Sequence, residues 1–498
     1  MSPNSAADRA HYVRDALPAG GLFAGATWRI SPSAFPLPAS LLAQLEALGP
    51  QLLAFYRACN VMYRQSVQGE LPRSIADYLD AGKPKELVEL SRSGRFENAV
   101  PRVIRPDVIL GKDRFFITEL DSVPGGIGLT GWLGKTYGEL GDDIVGGQFG
   151  MMEGFAAAME TDKKSFTIVV SEEAATYRPE MQWLGQQIGF AVLKPEEIGE
   201  TLDGRQDLGD GPTPDPSQEG NHRVGLPSSG RVVGGSRTGL PVCRTGIPSF
   251  GGAGGGFTGA MNTTIYRFFE LFDLANVPNA PALLEAAARG DVTVTPPIRP
   301  QLEEKMLFAF LWMEQLQPFW QEQLGDKTLD QLKQVFPYTW IVDPTPLPPQ
   351  AVIPGLGIHD WREMAKFSQK KRELILKISG FHEQAWGSRG VYVGHDLSAG
   401  RWAEAIERAL ASFPQNPFIL QTFEKSRLVD AQYFDFEANA VQAFKGRVRL
   451  CPYYFVMNDT TKLGGILATI CPADKKLLHG MTDAVLAPCR AQTPDAGA

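Results

Sequence analysis

Residues 105–128 read RPDVILGKDRFFITELDSVPGGIG, and the reading of this stretch decides the fold. Val108-Ile109-Leu110 and Phe115-Phe116-Ile117 are short apolar runs, with the turn chemistry of Gly111-Lys112-Asp113 between them, so the spacing predicts a hairpin. Arg105 and Asp107 precede the first run; Glu119 and Asp121 follow the second. A hairpin brings those ends together and places three carboxylates and one guanidinium in a small volume. Like charges at such distances repel unless a cation joins them, and clusters of oxygen ligands suit Mg²⁺. Glu119 and Asp121 are two apart, so a regular strand points both to one face. A solvated hairpin with surface ion pairs is the alternative that the stretch leaves open.

The chain around it has 498 residues, enough for two to four domains or one multi-lobed enzyme. Hydrophobic residues make up 43% and charged residues 21%, ordinary values for a soluble globular chain with a sizeable core. The net charge of −8 argues against a general nucleic-acid binder. Five scattered cysteines without a CxxC pair fit a reducing cytoplasm better than a disulfide framework or zinc site. The six histidines form no HExxH pair. The first residues carry no apolar signal-peptide core, and no run approaches the roughly 20 apolar residues of a membrane span.

Before the hairpin, Leu42, Leu45, Leu48, Leu52, Phe55 and Tyr56 form one stripe, which predicts a helix over 41–67. After it, Phe166–Val170, a helical pattern through Met181, Leu184 and Ile188, and Phe190–Leu193 predict a βαβ unit, the element of a parallel sheet. Residues 202–256 then read as a low-complexity insertion: glycine and proline are abundant and apolar periodicity is lost. The run Gly251–Gly256 lacks the Lys-Ser/Thr that completes a phosphate loop. Order resumes with Ile265–Phe269, which is expected to complete the interrupted sheet. A helix over 280–288, a strand over 292–295 and one long helix over 303–324 follow in the pattern.

A second chemical stretch is Leu374-Ile375-Leu376-Lys377-Ile378, a strand with a lysine near its end. A lysine on an apolar strand must find an anion or reach water. The loop 379–390 behind it contains Gly380, Gly387, Ser388, Arg389 and Gly390, and its backbone N–H groups suit a phosphate. Phe418–Phe423 is an apolar strand whose backbone could pair with an adenine edge, or an ordinary core strand. Arg447 and Arg449 share a strand face and could line a cleft, with substrate carboxylate as a candidate ligand.

Together these pieces resemble the ATP-grasp superfamily in its circularly permuted form, similar to the synthetase domain of glutathionylspermidine synthases. The resemblance rests on Arg105-x-Asp107 with Glu119-x-Asp121, on LILKISG with its glycine loop, and on PFILQTFE as a hinge strand. It spans most of the chain after the first helices, less the insertion. The acidic motif precedes the lysine strand, the reverse of ordinary ATP-grasp order, which fits the permuted form. Two departures stand out. Asp121 occupies a position where the family more often has Asn, adding a charge. The cysteine-dependent amidase of bifunctional members has no visible counterpart in 1–84, so glutathione and spermidine are not carried over as substrates.

The resemblance implies an α/β protein with α+β lobes. Residues 1–160 would hold the N-terminal helices and metal hairpin, 161–300 a Rossmann-like subdomain with the insertion, and 301–498 the nucleotide-binding lobes. It implies ATP and Mg²⁺ as cofactors and ATP-dependent carboxylate–amine, or carboxylate–thiol, ligation through an acyl-phosphate. Asp107, Glu119 and Asp121 would hold metal, and Lys377, Ser388 and Gly390 phosphate. Gln421 and Phe423 would seat adenine, Glu424 the ribose, and Arg105 the transferred phosphoryl group. Substrates would be small-molecule or peptide carboxylates and amines, with no nucleic-acid or membrane partner. A non-catalytic ATP-binding scaffold and a small-molecule phosphotransferase are the alternatives. Deleting residues 202–256 is expected to leave a folded protein that still binds ATP, as circular dichroism and nucleotide titration of the shortened chain would show; collapse on deletion would contradict this.

Overall fold

The computed structural model describes residues 5–24, 27–159, 166–199, 263–385, 389–475, 478 and 482–492. The expected insertion over 202–256 lies outside the described residues, as do Gly387 and Ser388.

Three sheets carry the architecture. β1 (Thr27–Ile30), β2 (Phe35–Leu37), β3 (Val103–Leu110) and β4 (Phe115–Asp121) belong to the largest. β5 (Phe166–Val170), β6 (Ala191–Leu193), β7 (Thr263–Phe268) and β8 (Val292–Thr295) form a parallel sheet in the order β6-β5-β7-β8. β9 (Thr339–Ile341), β10 (Leu374–Ile378), β11 (Val391–Val393) and β12 (Phe418–Thr422) form an antiparallel sheet in the order β11-β10-β12-β9. β13 (Leu428–Asp435), β14 (Ala440–Met457), β15 (Thr460–Pro472) and β16 (Thr482–Ala491) complete the first, ordered β1-β16-β15-β14-β3-β4 with β13 on β14 and β2 on β16. The chain is thus a mixed α/β protein. The expected βαβ unit is present, with the Arg178–Ile188 helix ended by the left-handed Gly189 between β5 and β6. β7 pairs with β5 beyond the insertion.

The expected first long helix runs Ala39–Gln68 and buries Leu45, Leu48, Leu52, Phe55 and Tyr56. It packs into one core with the apolar residues that follow position 306. There the reading of one helix over 303–324 is corrected. A 3₁₀ turn spans Pro300–Glu303, a short helix Leu307–Trp312, and a second helix Gln317–Val335 with a break at Gly325. Glu304 is extended (φ −88°, ψ 125°) and so is Met313 (φ −66°, ψ 121°). Pro318 lacks an N–H and starts a helix rather than continuing one. The apolar spacing survives these breaks, which is why the pattern reads as continuous. The consequence is functional: Glu304 and Lys305 lie on a non-helical link between core elements.

Trp320 anchors this region. It is fully buried, stacks on Phe55 with centroids 5.7 Å apart, and donates its indole N–H to Phe310 O at 2.8 Å. Trp320→Ala is expected to lower stability by about 3–5 kcal/mol, read as a reduced midpoint in urea unfolding. No change in midpoint would show that the site collapses without loss.

Candidate functional site at the meeting of two sheets

The hairpin β3/β4 forms with Arg105 opposite Asp121 and Asp107 opposite Glu119. Register then slips, since Val108 faces Ile117, and Thr118 is left as the extra residue of a bulge. Bulges re-aim the groups beside them. Here the Thr118 hydroxyl donates to Asp107 O at 3.2 Å, and the Thr118 carbonyl accepts from Lys377 Nζ at 3.0 Å, joining the hairpin to β10.

Arg105 sits between two acids. Its Nη2 lies 3.1 Å from Asp107 Oδ1 and also pairs with Asp121, while Nη1 donates to Gly125 O at 3.0 Å. β14 supplies Arg449, whose Nη1 reaches Asp107 Oδ2 at 3.0 Å, and the Cys451 thiol, 3.4 Å from Oδ1. Burial pushes the Asp107 carboxyl up, but Arg449 and Arg105 outweigh it and hold it below its ordinary value. Asp121 goes the other way: burial raises it, and Arg105 does not fully offset that rise and the repulsion of Asp107 and Glu119.

These pairings alter the expected ligand set. Among the described residues, no three His, Cys, Asp or Glu side chains stand together as a metal site. Arg105 stands between Asp107 and Asp121, and Glu119 is paired with Lys305. Asp107 is committed to Arg105 and Arg449, and its side chain is 11% exposed, against 35% for Glu119 and 20% for Asp121. The expectation of a shared arginine face is likewise refined. Arg449 serves Asp107, and Arg447 is held by the Ser426 and Ala473 carbonyls.

On the other side of the bulge stand two ammonium groups. Lys377 is buried, and its Nζ donates to Thr118 O and to Gln421 Oε1, each at 3.0 Å. Gln421 Nε2 in turn donates to Thr339 Oγ1 at 3.1 Å, which fixes the orientation of its amide. No carboxylate of a described residue lies within 4 Å of Lys377 Nζ. Burial lowers its pKa to about 8, partly offset by Glu119 and reinforced by Lys305. Lys305, which the sequence pattern assigned to a helix, reaches Glu119 Oε1 and Ala385 O, each at 2.9 Å. For Lys305 burial lowers the pKa, but Glu119 more than compensates and raises it. The signal for Lys305 was its position directly before the apolar run MLFAFLW. A small cavity opens beside these groups, lined by Thr118, Glu119, Glu304, Lys305 and Gln421.

The expected adenine residues need correction. Gln421 lies opposite both Ile375 and Thr339, so its strand is paired on both edges and offers adenine no free backbone there. Its side chain holds Lys377 instead. The Phe423 N–H donates to Glu373 O at 3.0 Å, and its ring meets His395 edge-on. Glu424 accepts from Thr422 Oγ1 at 3.2 Å, and partial burial raises its carboxyl pKa. Gly390 closes the loop by donating to Gln384 O at 2.8 Å. A Cβ there would lie 2.7 Å from Ile378 Cγ2, so the turn requires glycine.

Beyond Asp121 a second small cavity lies at the carboxyl ends of β5 and β7, lined by Ser171, Glu173, Tyr177, Glu270 and Asp273. Burial, with Glu303 and Asp121 adding repulsion, pushes Glu270 up to about 8. The strand order reverses between β5 and β7, and such reversals place ligand crevices in parallel sheets.

No protein-family profile and no curated protein sequence matches the chain. Among solved structures, a glutathione-synthetase-like effector from Globodera pallida, in its apo form, superposes with a TM-score of 0.51 at 10% identity. The match covers 99% of this chain and 98% of the effector. The likeness is one of fold. A candidate γ-glutamylcysteine synthetase from Methylobacillus flagellatus KT covers 93% of this chain and 92% of its own at 12% identity, with a TM-score of 0.36, too low to bear on the fold. No described helix is long and apolar enough to cross a membrane.

The depressed Lys377 pKa has a thermodynamic consequence. An unfolded lysine keeps its proton to about 10.4, so between about 8 and that value the unfolded chain binds more protons and stability rises with pH. Wild-type stability relative to Lys377→Met is therefore expected to rise across that window, with a slope approaching about 1.4 kcal/mol per pH unit. Parallel stability curves in urea would show that burial does not perturb the ammonium.

Proposed function

We propose that the chain is an ATP-dependent carboxylate–amine, or carboxylate–thiol, ligase built on a circularly permuted ATP-grasp fold. The observation that carries this reading is the pair of ammonium groups, Lys305 and Lys377, on either side of Glu119. Among the described residues, Lys377 Nζ is held by two neutral oxygens. A buried cation without an anion is unfavourable, and a phosphate chain supplies the missing charge. The order of the acidic hairpin before the lysine strand and the whole-length likeness to the glutathione-synthetase-like effector support the same reading.

Magnesium fits this site in a restricted sense. Mg²⁺ commonly uses one or two carboxylates together with substrate phosphates. Glu119 and Asp121, the more accessible acids, would hold it; Asp107, saturated by two arginines, would not. When bound, the ion would supply charge neutralisation at the phosphate oxygens.

The chain's own residues account for the rest. Lys305 and Lys377 would hold phosphate oxygens as an oxygen of the acid substrate attacks the γ-phosphorus and ADP departs. Arg105, fixed by Gly125 O and two acids, would face the negative charge that develops on the transferred group. The 379–390 loop would cover the resulting acyl-phosphate and keep water out. The amine nitrogen then attacks the acyl carbon, inorganic phosphate leaves, and the nitrogen loses a proton. The second cavity, next to Asp121, is the place for the acceptor.

The test is an ADP-release screen with Mg-ATP over amino acids, peptides and polyamines. The expected outcome is ADP formation that needs both an acid and an amine, with a hydroxamate trapped by hydroxylamine. A product stable to hydroxylamine would identify a phosphotransferase, and nucleotide binding without turnover a scaffold. Lys377→Ala and Glu119→Ala are each expected to lower kcat by at least about 10²–10³ while circular dichroism stays unchanged. Undiminished ADP release by either variant would remove that residue from the site.

A further inference from the structure

Glu304 lies one residue before Lys305 but takes no part in the chemistry above. Its side chain is 2% exposed and pairs with Lys83, whose side chain is 1% exposed. Lys83 comes from the turn between the Arg73–Asp80 and Lys85–Ser91 helices, 221 residues away in sequence. The other Glu304 oxygen accepts from the Ser379 hydroxyl, two residues after Lys377. Ser379 then returns two bonds to the Lys305 link. Its Oγ accepts from Met306 N at 3.0 Å, and its carbonyl from Lys305 N at 3.3 Å. The next residue is Gly380, where a Cβ would lie 2.7–2.9 Å from the Glu304 carboxylate carbon and oxygens. The loop therefore passes directly over this carboxylate. Lys83 also stands 5.4 Å from the centre of the Phe381 ring.

We propose that Glu304, held by Lys83, is a positioning residue that locks the segment carrying Lys305 to the loop following Lys377, and so fixes the spacing of the two ammonium groups. Lys305 and Lys377 come from different sheets and links, and no described bond joins their side chains directly. The Glu304–Ser379 bond is the side-chain brace among three hydrogen bonds that join the Lys305 link to the residue two beyond Lys377. A buried ion pair contributes little net stability when compared with well-packed apolar groups, so its presence here is better explained by geometry than by stability. This inference rests on the proposed nucleotide site.

The test compares MgATP binding by titration calorimetry with thermal melting for the full chain, Ser379→Ala, Ser379→Thr, Glu304→Gln and the charge-free pair Lys83→Met with Glu304→Leu. In the folded variants that break the bridge, the dissociation constant is expected to rise by about tenfold or more, as for loss of a buried charged hydrogen bond. Ser379→Thr, which keeps the hydroxyl, should restore affinity. A merely structural role would shift the melting point and leave affinity within about twofold; that result overturns the positioning role while leaving the nucleotide site standing. If the unaltered chain fails to bind MgATP, the nucleotide reading falls and this inference with it. The double substitution and Ser379→Ala leave no isolated buried charge, so they supply the readout where Glu304→Gln does not fold.

Discussion

An ammonium group held beneath the surface by two neutral oxygens sets the terms for the rest of this molecule. Lys377 is buried, and the fold gives it a carbonyl from the β3/β4 hairpin in front and an amide from β12 behind. Both acceptors are themselves constrained. The Thr118 carbonyl is turned by the bulge, and the Gln421 amide is oriented by Thr339. The antiparallel sheet and the largest sheet therefore meet at one side chain, and the cavity beside it inherits that geometry.

Charge is distributed around this point in two compartments. On one side Arg105 and Arg449 neutralise Asp107, and Arg105 also holds Asp121. On the other side Lys305 neutralises Glu119, and among the described residues Lys377 makes no ion pair. The Thr118 carbonyl, left out of the ladder by the bulge, meets Lys377 beside both groups.

Much of the local chemistry was legible in the sequence. The hairpin could be read because apolar runs flank an unmistakable turn, and Lys377 because a charge interrupts an apolar strand. Lys305 could not be read in the same way. The apolar periodicity from 303 to 324 continues across two backbone breaks that only packing and Pro318 impose. The role of Gln421 was misplaced because sequence does not show that β12 is paired on both edges. The commitment of Asp107 to Arg449 was hidden for another reason: nothing local in either segment identifies a partner 342 residues away. Lys83 and Glu304 were invisible on the same ground.

The great length of these connections bears on how the protein comes into being. Asp107 emerges from the ribosome long before Arg449, and Thr118 long before Lys377, the partners being 342 and 259 positions apart. Contacts of such long range require loop closure over most of the chain before they stabilise anything. The growing polypeptide thus carries an acidic hairpin with Arg105 in place but without Lys305 and Arg449, its later counter-charges. The charged cluster around Lys377 is among the last features that synthesis completes, and a half-made chain has a stretch of sheet but not the full cluster.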